Sequence, residues 1–301
     1  MNTGVQKELV SHIRDYDYET ICGSVETSFP AIYEIPRENT GTLKNQGNVS
    51  ACVAEVIAQI AENWYEKQIG EPSEMSEGFI YGALRKEDSS SCGMIVTTAL
   101  DMWRSVGTLP KKYFDVLAEM PEIKGIVAKF PEFYDIASKY KLSGFVSLNY
   151  NNEKRDNAIK TALMKYNYGL VAVSNKGFGG SHCIQLTGWN DEKNTYKFKN
   201  SWGENYGDNG FSEIAKSQIN HVYLPLFEDI KLPFTDVKED AWYYDDIKKI
   251  YFAGFMNGTS ETTFEPEKPL TRAEVATLMH RVIKEIDSRF DIFNRVLNEK
   301  E

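Results

Sequence analysis

Cys52, His182 and Asn200 are the residues whose types and order in the chain could make and break an acyl bond. A cysteine attacks a carbonyl as a thiolate, and a helix N-terminus or a neighbouring imidazolium can lower its pKa by several units. Cys52 opens a run in which Val53, Val56, Ile57, Ile60, Ala61 and Trp64 recur at steps of three and four, the pattern of a buried helix face. Ser50 stands just ahead as an expected N-cap. The nucleophile therefore falls in the first turn of a central helix. A base must be brought to it by folding. Of the four histidines, His12, His182, His221 and His280, the best placed is His182, which opens a strand-like run after Gly179, Gly180 and Ser181. Small residues there leave its ring accessible.

The elements that must position these side chains follow from periodicity. Residues 1–28 read as a polar, partly helical lead-in, and 29–50 as irregular chain punctuated by Pro30, Pro36, Gly41 and Gly47. Helical patterns recur over 76–84, 94–106 and 152–164. The period then shifts towards two, and 169–174, 182–189, 195–200 and 210–214 read as strands. Helices first and an antiparallel sheet second imply an α+β domain in two lobes. Near residue 230 the pattern ends, and from Leu232 a module rich in Asp, Tyr and Trp carries helical patterns over 244–253 and 271–284. The expected organisation is an extension over 1–28, a main domain over 29–230 and a C-terminal module over 231–301.

Composition narrows the partners. The 301-residue chain has a formal net charge of −10 and no basic run, so nucleic acid is not an expected partner. No stretch approaches the ~20 apolar residues of a membrane helix, and residues 1–14 lack the apolar region of a signal peptide. Cys22, Cys52, Cys92 and Cys183 are widely spaced. With four histidines they offer no metal-type spacing, and neither a metal nor a cofactor is expected. Cys22, Cys92 and Cys183 are read as structural. Alternation along its strand points Cys183 away from the face of His182.

His182 follows Cys52 by 130 residues and Asn200 follows it by 148, the separations of papain-type enzymes. The segment Gln46-Gly47-Asn48-Val49-Ser50-Ala51-Cys52 resembles the papain family's stretch ahead of its nucleophile. The run from Ser181 to Trp189 resembles its histidine strand. Lys199-Asn200-Ser201-Trp202-Gly203, with Tyr206 to Phe211 beyond, is the strongest likeness, and the whole resemblance covers about residues 29–225. It implies a papain-like two-lobed fold. It also implies that Cys52 is the nucleophile, His182 its base, Asn200 the residue that orients the base, and Trp202 a cover over that contact. Gln46 would donate to an oxyanion together with the Cys52 backbone N–H, and Gly93 would bind substrate backbone. The sequence departs from the family where its disulfide cysteine is Val49 and the tryptophan after the nucleophile is Val53.

The C-terminal module has its own resemblance. Pro233-Phe234-Thr235-Asp236-Val237, Ala241-Trp242, Ala253 to Gly258, Thr263 to Pro266 and Leu270 to Glu274 together resemble one S-layer homology motif over about 232–285. Thr271 and Glu274 fit a helix capping box, whereas Arg272 presents a guanidinium suited to an acidic sugar. The resemblance implies a partner in acidic cell-wall polysaccharide. One motif has a small core, so three chains are expected to pool their motifs as a homotrimer, with Leu278, Val282, Ile286, Phe290, Phe293 and Leu297 as the seam. The alternative is that this stripe packs on its own chain.

The expected function is that of a cysteine endopeptidase acting on a protein or peptide substrate, held at a cell wall, extracellular surface or phage particle. Two other readings remain open. One is a catalytically inactive papain-like protein that binds or assembles, favoured by the departures around Cys52. The other is an enzyme that cuts peptidoglycan cross-peptides.

Overall fold

A computed structural model describes residues 18–69, 74–84, 92–149, 154–228, 232–252, 255–260 and 262–298. The chain divides into two compact units, residues 1–64 with 74–228, and residues 65–73 with 229–301. The first begins with α1 (Tyr18–Cys22) and a short strand β1 (Ile32–Glu34), then enters the long helix α2 (Cys52–Ile69). Four shorter helices follow: α3 (Glu77–Ala83), α4 (Val96–Ser105), α5 (Glu122–Val127) and α6 (Glu132–Ala137). Strand β2 (Gly144–Ser147) and α7 (Lys154–Tyr166) lead into the sheet strands β3 (Leu170–Ser174), β4 (His182–Asn190), β5 (Thr195–Lys199), β6 (Phe211–Ala215) and β7 (His221–Leu226). All pairings are antiparallel, in the order β2-β7-β3-β4-β5-β6, with β1 added to β4. This is the α+β architecture that the periodicity implies.

The helix expected at Cys52 is there, and its apolar face is buried as the three-four pattern requires. Its other face is buried too. Glu55, Gln59, Glu62 and Asn63 are each 3% exposed or less, so α2 runs through the interior of the helical lobe rather than along its surface. A second apolar centre is aromatic: Phe130 and Phe133 stack at 4.8 Å, and Phe79 and Phe114 meet Phe133 edge-on or tilted. The ladder between β4 and β5 shifts register between Leu186 and Gly188. Gly188 lies against β1 so closely that a Cβ there would come 2.2 Å from the Tyr33 carbonyl oxygen.

The second unit holds α8 (Tyr244–Phe252) and α9 (Arg272–Asn298). Its core is Leu232, Phe234, Val237 and Ile247, with Tyr243, Tyr244, Tyr251 and Phe264 packed around it. Asp236 ties the first piece of the module to the fourth, because its carboxylate accepts from the Phe264 N–H at 2.9 Å and the Glu265 N–H at 2.7 Å. Those bonds hold its carboxyl below the usual carboxylate range. Thr271 and Glu274 form the expected capping box. The Thr271 N–H and hydroxyl reach Glu274 Oε2 at 2.7 and 2.8 Å, and the Glu274 N–H returns to Thr271 Oγ1 at 3.2 Å. Helix α9 runs 14 residues beyond the 271–284 read from sequence. The side chains of Phe290, Phe293 and Leu297 fall outside the described residues. Among the described residues no helix is long and apolar enough to cross a membrane.

Asp236→Ala is expected to speed hydrogen exchange at the Phe264 and Glu265 amides while leaving the β4 amides unchanged. Protection retained at both amides would contradict the role given to the carboxylate.

Candidate active site

His182 is the first residue of β4 and Asn200 the residue just past β5. Because the two strands run antiparallel, a start of one and an end of the other share one edge of the sheet. Residues 18 apart in sequence are thereby brought into contact. His182 Nε2 and Asn200 Oδ1 are 2.8 Å apart, and both residues are fully buried.

The orientation of each partner follows from a third group. The Ser201 backbone N–H donates to Asn200 Oδ1 at 2.8 Å, which identifies that atom as the oxygen and not the amide nitrogen. An oxygen there requires His182 Nε2 to carry the hydrogen. In the neutral ring the lone pair then lies on Nδ1. Nδ1 is buried and accepts no hydrogen bond among the described residues. Trp202 covers the imidazole, stacked at 4.7 Å and 27°, and Phe178 closes it from the side at 4.8 Å. Burial pushes the His182 ring down to about 4, against the smaller upward pull of Asn200.

Cys52 begins α2 and is fully buried. The residue expected to cap that helix has another task. The backbone Glu55 N–H bonds to the Ala51 carbonyl at 3.0 Å, so the helix starts one position later than Ser50 would cap. The Ser50 N–H and hydroxyl instead both reach Glu119 Oε1. Gln46, 2% exposed, lies beside this turn. Its amide nitrogen donates to the Val49 carbonyl at 2.8 Å and its Oε1 accepts from the Ser201 hydroxyl at 2.6 Å. Its backbone N–H also reaches the Ser201 carbonyl at 2.9 Å. Gln46 thus joins the turn before Cys52 to the residue after Asn200.

Three ionic groups assigned no role from the sequence fix the loop carrying Gln46. Lys199, 1% exposed, donates to the carbonyls of Thr40, Gly41 and Thr42 at 3.1, 2.6 and 2.9 Å. Burial pushes it down to about 7. Glu62, on the helix of Cys52, accepts from the Thr42 N–H and hydroxyl and from the Met75 N–H. Lys44 bridges Glu62 at 2.5 Å and Glu77 at 2.6 Å, and these two carboxylates hold its pKa above the ordinary lysine range against the pull of burial. Nothing in periodicity marks these residues. Each stands beside an asparagine in the sequence (Asn45, Asn63 or Asn200), so no lone polar residue in an apolar run marks it.

Gly93 is half-buried beside an exposed Cys92. Arg272 begins α9 in the second unit and is exposed. That unit also carries a groove of about 650 Å³, lined among others by Trp242, Phe255, Leu270, Leu278 and Arg281. Arg281, which the sequence did not single out, donates to the Phe255 carbonyl at 3.1 Å. Among the described residues no group of three or more His, Cys, Asp or Glu could hold a metal ion.

Residues 34–225 match the papain family cysteine protease profile, about two thirds of the sequence, and the chain belongs to that family. Residues 233–276 match the S-layer homology domain. Xylellain, a cysteine protease from Xylella fastidiosa, superposes with a TM-score of 0.59 at 18% identity, over 75% of this chain and 96% of that one. The viral cathepsin of Spodoptera litura multicapsid nucleopolyhedrovirus is 36% identical over 90 residues, 29% of this chain and 25% of its own. The Surface-layer 125 kDa protein of Lysinibacillus sphaericus is 50% identical over 68 residues, 23% of this chain and 6% of its own. The chain thus spans a quarter or less of the length of these two relatives.

The geometry makes a titration prediction. In Cys52→Ala the His182 ring has no thiolate to oppose burial and should stay neutral down to about pH 4, read from its ring carbon shifts by NMR. In the alanine variant the unfolded chain takes up that proton near 6.5 and the folded chain only near 4. Stability from this site is complete above pH 6.5 and falls as the pH drops through that window. A protonated ring at pH 6 in Cys52→Ala would contradict this account.

Proposed function

We propose that the chain is a cysteine endopeptidase that hydrolyses peptide bonds through Cys52, His182, Asn200 and Gln46. The observation that carries this reading is the 2.8 Å bond from His182 Nε2–H to Asn200 Oδ1, with the oxygen identified by Ser201. It leaves the basic Nδ1 as the ring atom to take the thiol proton. Cys52 Sγ attacks the scissile carbonyl as a thiolate paired with protonated His182. The oxyanion is held by the Cys52 N–H at the start of α2 and by the Gln46 side-chain amide. His182 gives its proton to the leaving amine as the carbon–nitrogen bond breaks, and a thioester remains. Water, deprotonated by His182, then cleaves the thioester, and the acid and the thiol are released. Trp202 and Phe178 keep bulk water off the imidazole, while the Cys92–Gly93 segment lines the cleft for the substrate backbone.

The S-layer homology module supports attachment to a cell wall or cell surface, with acidic wall polysaccharide as the partner and Arg272 as a cationic contact. Its α9 supports self-association. Val275, Met279, Ile283 and Ile286 are each more than 40% exposed, at spacings of three and four, and Leu278 and Val282 are half-buried between them. Three copies of the module would cover that stripe as a homotrimer.

Intact-protein mass after treatment with an epoxysuccinyl inhibitor is expected to show one adduct, absent from Cys52→Ala. No adduct on a folded chain would turn the reading to a silent papain-like binding protein. For the module, solution mass is expected at three times that of one chain, and Arg272→Ala is expected to weaken retention on purified wall polysaccharide. A monomeric mass would sink the trimer, and unchanged retention would remove Arg272 from the contact.

A further inference from the structure

None of the four cysteines forms a disulfide, so no covalent crosslink joins the turn ahead of Cys52 to the Cys92–Gly93 segment. A carboxylate joins them instead. Glu119 Oε1 accepts from the Ser50 N–H at 2.7 Å and from the Ser50 hydroxyl at 3.0 Å. Glu119 Oε2 accepts from the Tyr81 hydroxyl at 2.8 Å. That hydroxyl also reaches the Cys92 carbonyl, sharing its one proton between the two acceptors. Ser50 is 4% exposed and Tyr81 fully buried, so these bonds form away from bulk water, where hydrogen bonds are strong.

The clasp is held from behind. Tyr81 and Gly78 both lie on α3. The chain leading to Glu119 presses so closely on that helix that a Cβ at Gly78 would come 1.6 Å from the Val116 carbonyl oxygen. Only glycine permits the approach. The position of Glu119 is therefore fixed by backbone packing rather than by its own side-chain freedom, and its two oxygens face two different parts of the cleft.

We propose that Glu119 is a positioning residue for substrate: through Ser50 and Tyr81 it sets the distance between the turn of Cys52 and the Cys92–Gly93 segment. The inference rests on the peptidase reading above and adds the residue that holds the cleft wall in register with the nucleophile. Misplacing a bound backbone by about 1 Å can cost about a hundredfold in rate, so a wall tied by hydrogen bonds needs such a fixed point. Glu119 does not touch the thiol's proton path. Its loss should disturb reagents that use the wall and spare those that do not.

The test compares the parent with Glu119→Ala and with Tyr81→Phe, a variant that keeps the ring and loses only the hydroxyl. Two alkylating agents are used: a peptidyl epoxysuccinate, whose peptide must lie on the wall, and iodoacetamide, which needs only the thiolate. Both variants are expected to react about tenfold or more slowly with the peptidyl reagent, the scale of one lost charged hydrogen bond. Their iodoacetamide rates should not fall by more than about twofold, an allowance well inside that loss. Hydrogen exchange at the Ser50 amide should accelerate in Glu119→Ala. An unchanged peptidyl rate in either folded variant would overturn the proposal. So would an equal slowing of both reagents, which would place the effect on the thiol. If the parent reacts with neither reagent, the peptidase reading fails separately. Ser50 exchange then decides whether the clasp exists, and an unaltered rate in Glu119→Ala overturns it.

Discussion

The hydrogen bond between His182 and Asn200 is the constraint on which the site depends, because it converts a strand pairing into a chemical state. The β4–β5 ladder brings the two side chains to one edge, and the Ser201 N–H fixes which atom of Asn200 faces the ring. From that point the tautomer follows, and with it the position of the lone pair. Burial under Trp202 and Phe178 removes the competing water that would otherwise make either tautomer acceptable. It also disfavours a charge on the ring. A positive charge on the ring is thus disfavoured unless an anion is brought to it.

The same lobe interface is crossed by a buried ionic network, unusual in being built around the loop that bears Gln46. Lys199 lies just before Asn200 and reaches three carbonyls of residues 40–42. Glu62 lies on the helix of Cys52 and reaches the same loop from the other side. Buried pairs of this kind add little net stability over apolar packing, but removing one partner costs about 3–5 kcal/mol. Their physical effect here is geometric: the loop has fixed donors and acceptors on both sides and little freedom to drift. Glu55 shows the opposite limit. It is 1% exposed, neither carboxyl oxygen has a hydrogen-bond partner among the described residues, and burial pushes its pKa well up. Glu55 is thus a buried carboxyl whose charged form is disfavoured by burial and by the nearby Glu77.

Much of this was legible in the sequence, and the reasons differ by residue. The helix at Cys52 is marked by a periodic apolar run, and β3 to β6 by alternation within one residue of their observed ends. His182, Asn200 and Trp202 stand in a motif dense enough to read, and the structure brings those three together. Strands β1, β2 and β7 are short or joined at distance, so no local period announces them. Helices α5 and α6 have six residues each, too few for an amphipathic pattern. Ser50 was read as a cap because its type suits one. Its actual acceptor, Glu119, lies 69 residues on, and a contact that long-range has no local signature. Lys44 and Glu62 were invisible for the same reason, and Lys199 was read within its motif but without its role, because its acceptors lie some 157 to 159 residues away. In the second unit the capping box is local and was read correctly, whereas Arg281 is tied to the groove by a bond to the Phe255 carbonyl 26 residues away.

The order of the site residues along the chain has a temporal consequence. Gln46 and Cys52 are synthesised first, yet the groups that fix Gln46, namely Lys199 and Ser201, come about 150 residues later, together with the imidazole and its orienting amide. A nascent chain that ends before residue 182 carries Cys52 without His182, Asn200 or the groups that fix Gln46. The loop of Gln46 gains its partners only once Lys199 and Ser201 have been made, so its geometry reports that strand β5 is in place. The turn ahead of Cys52 is thus among the first parts of the domain to be made and among the last to gain its fixed partners.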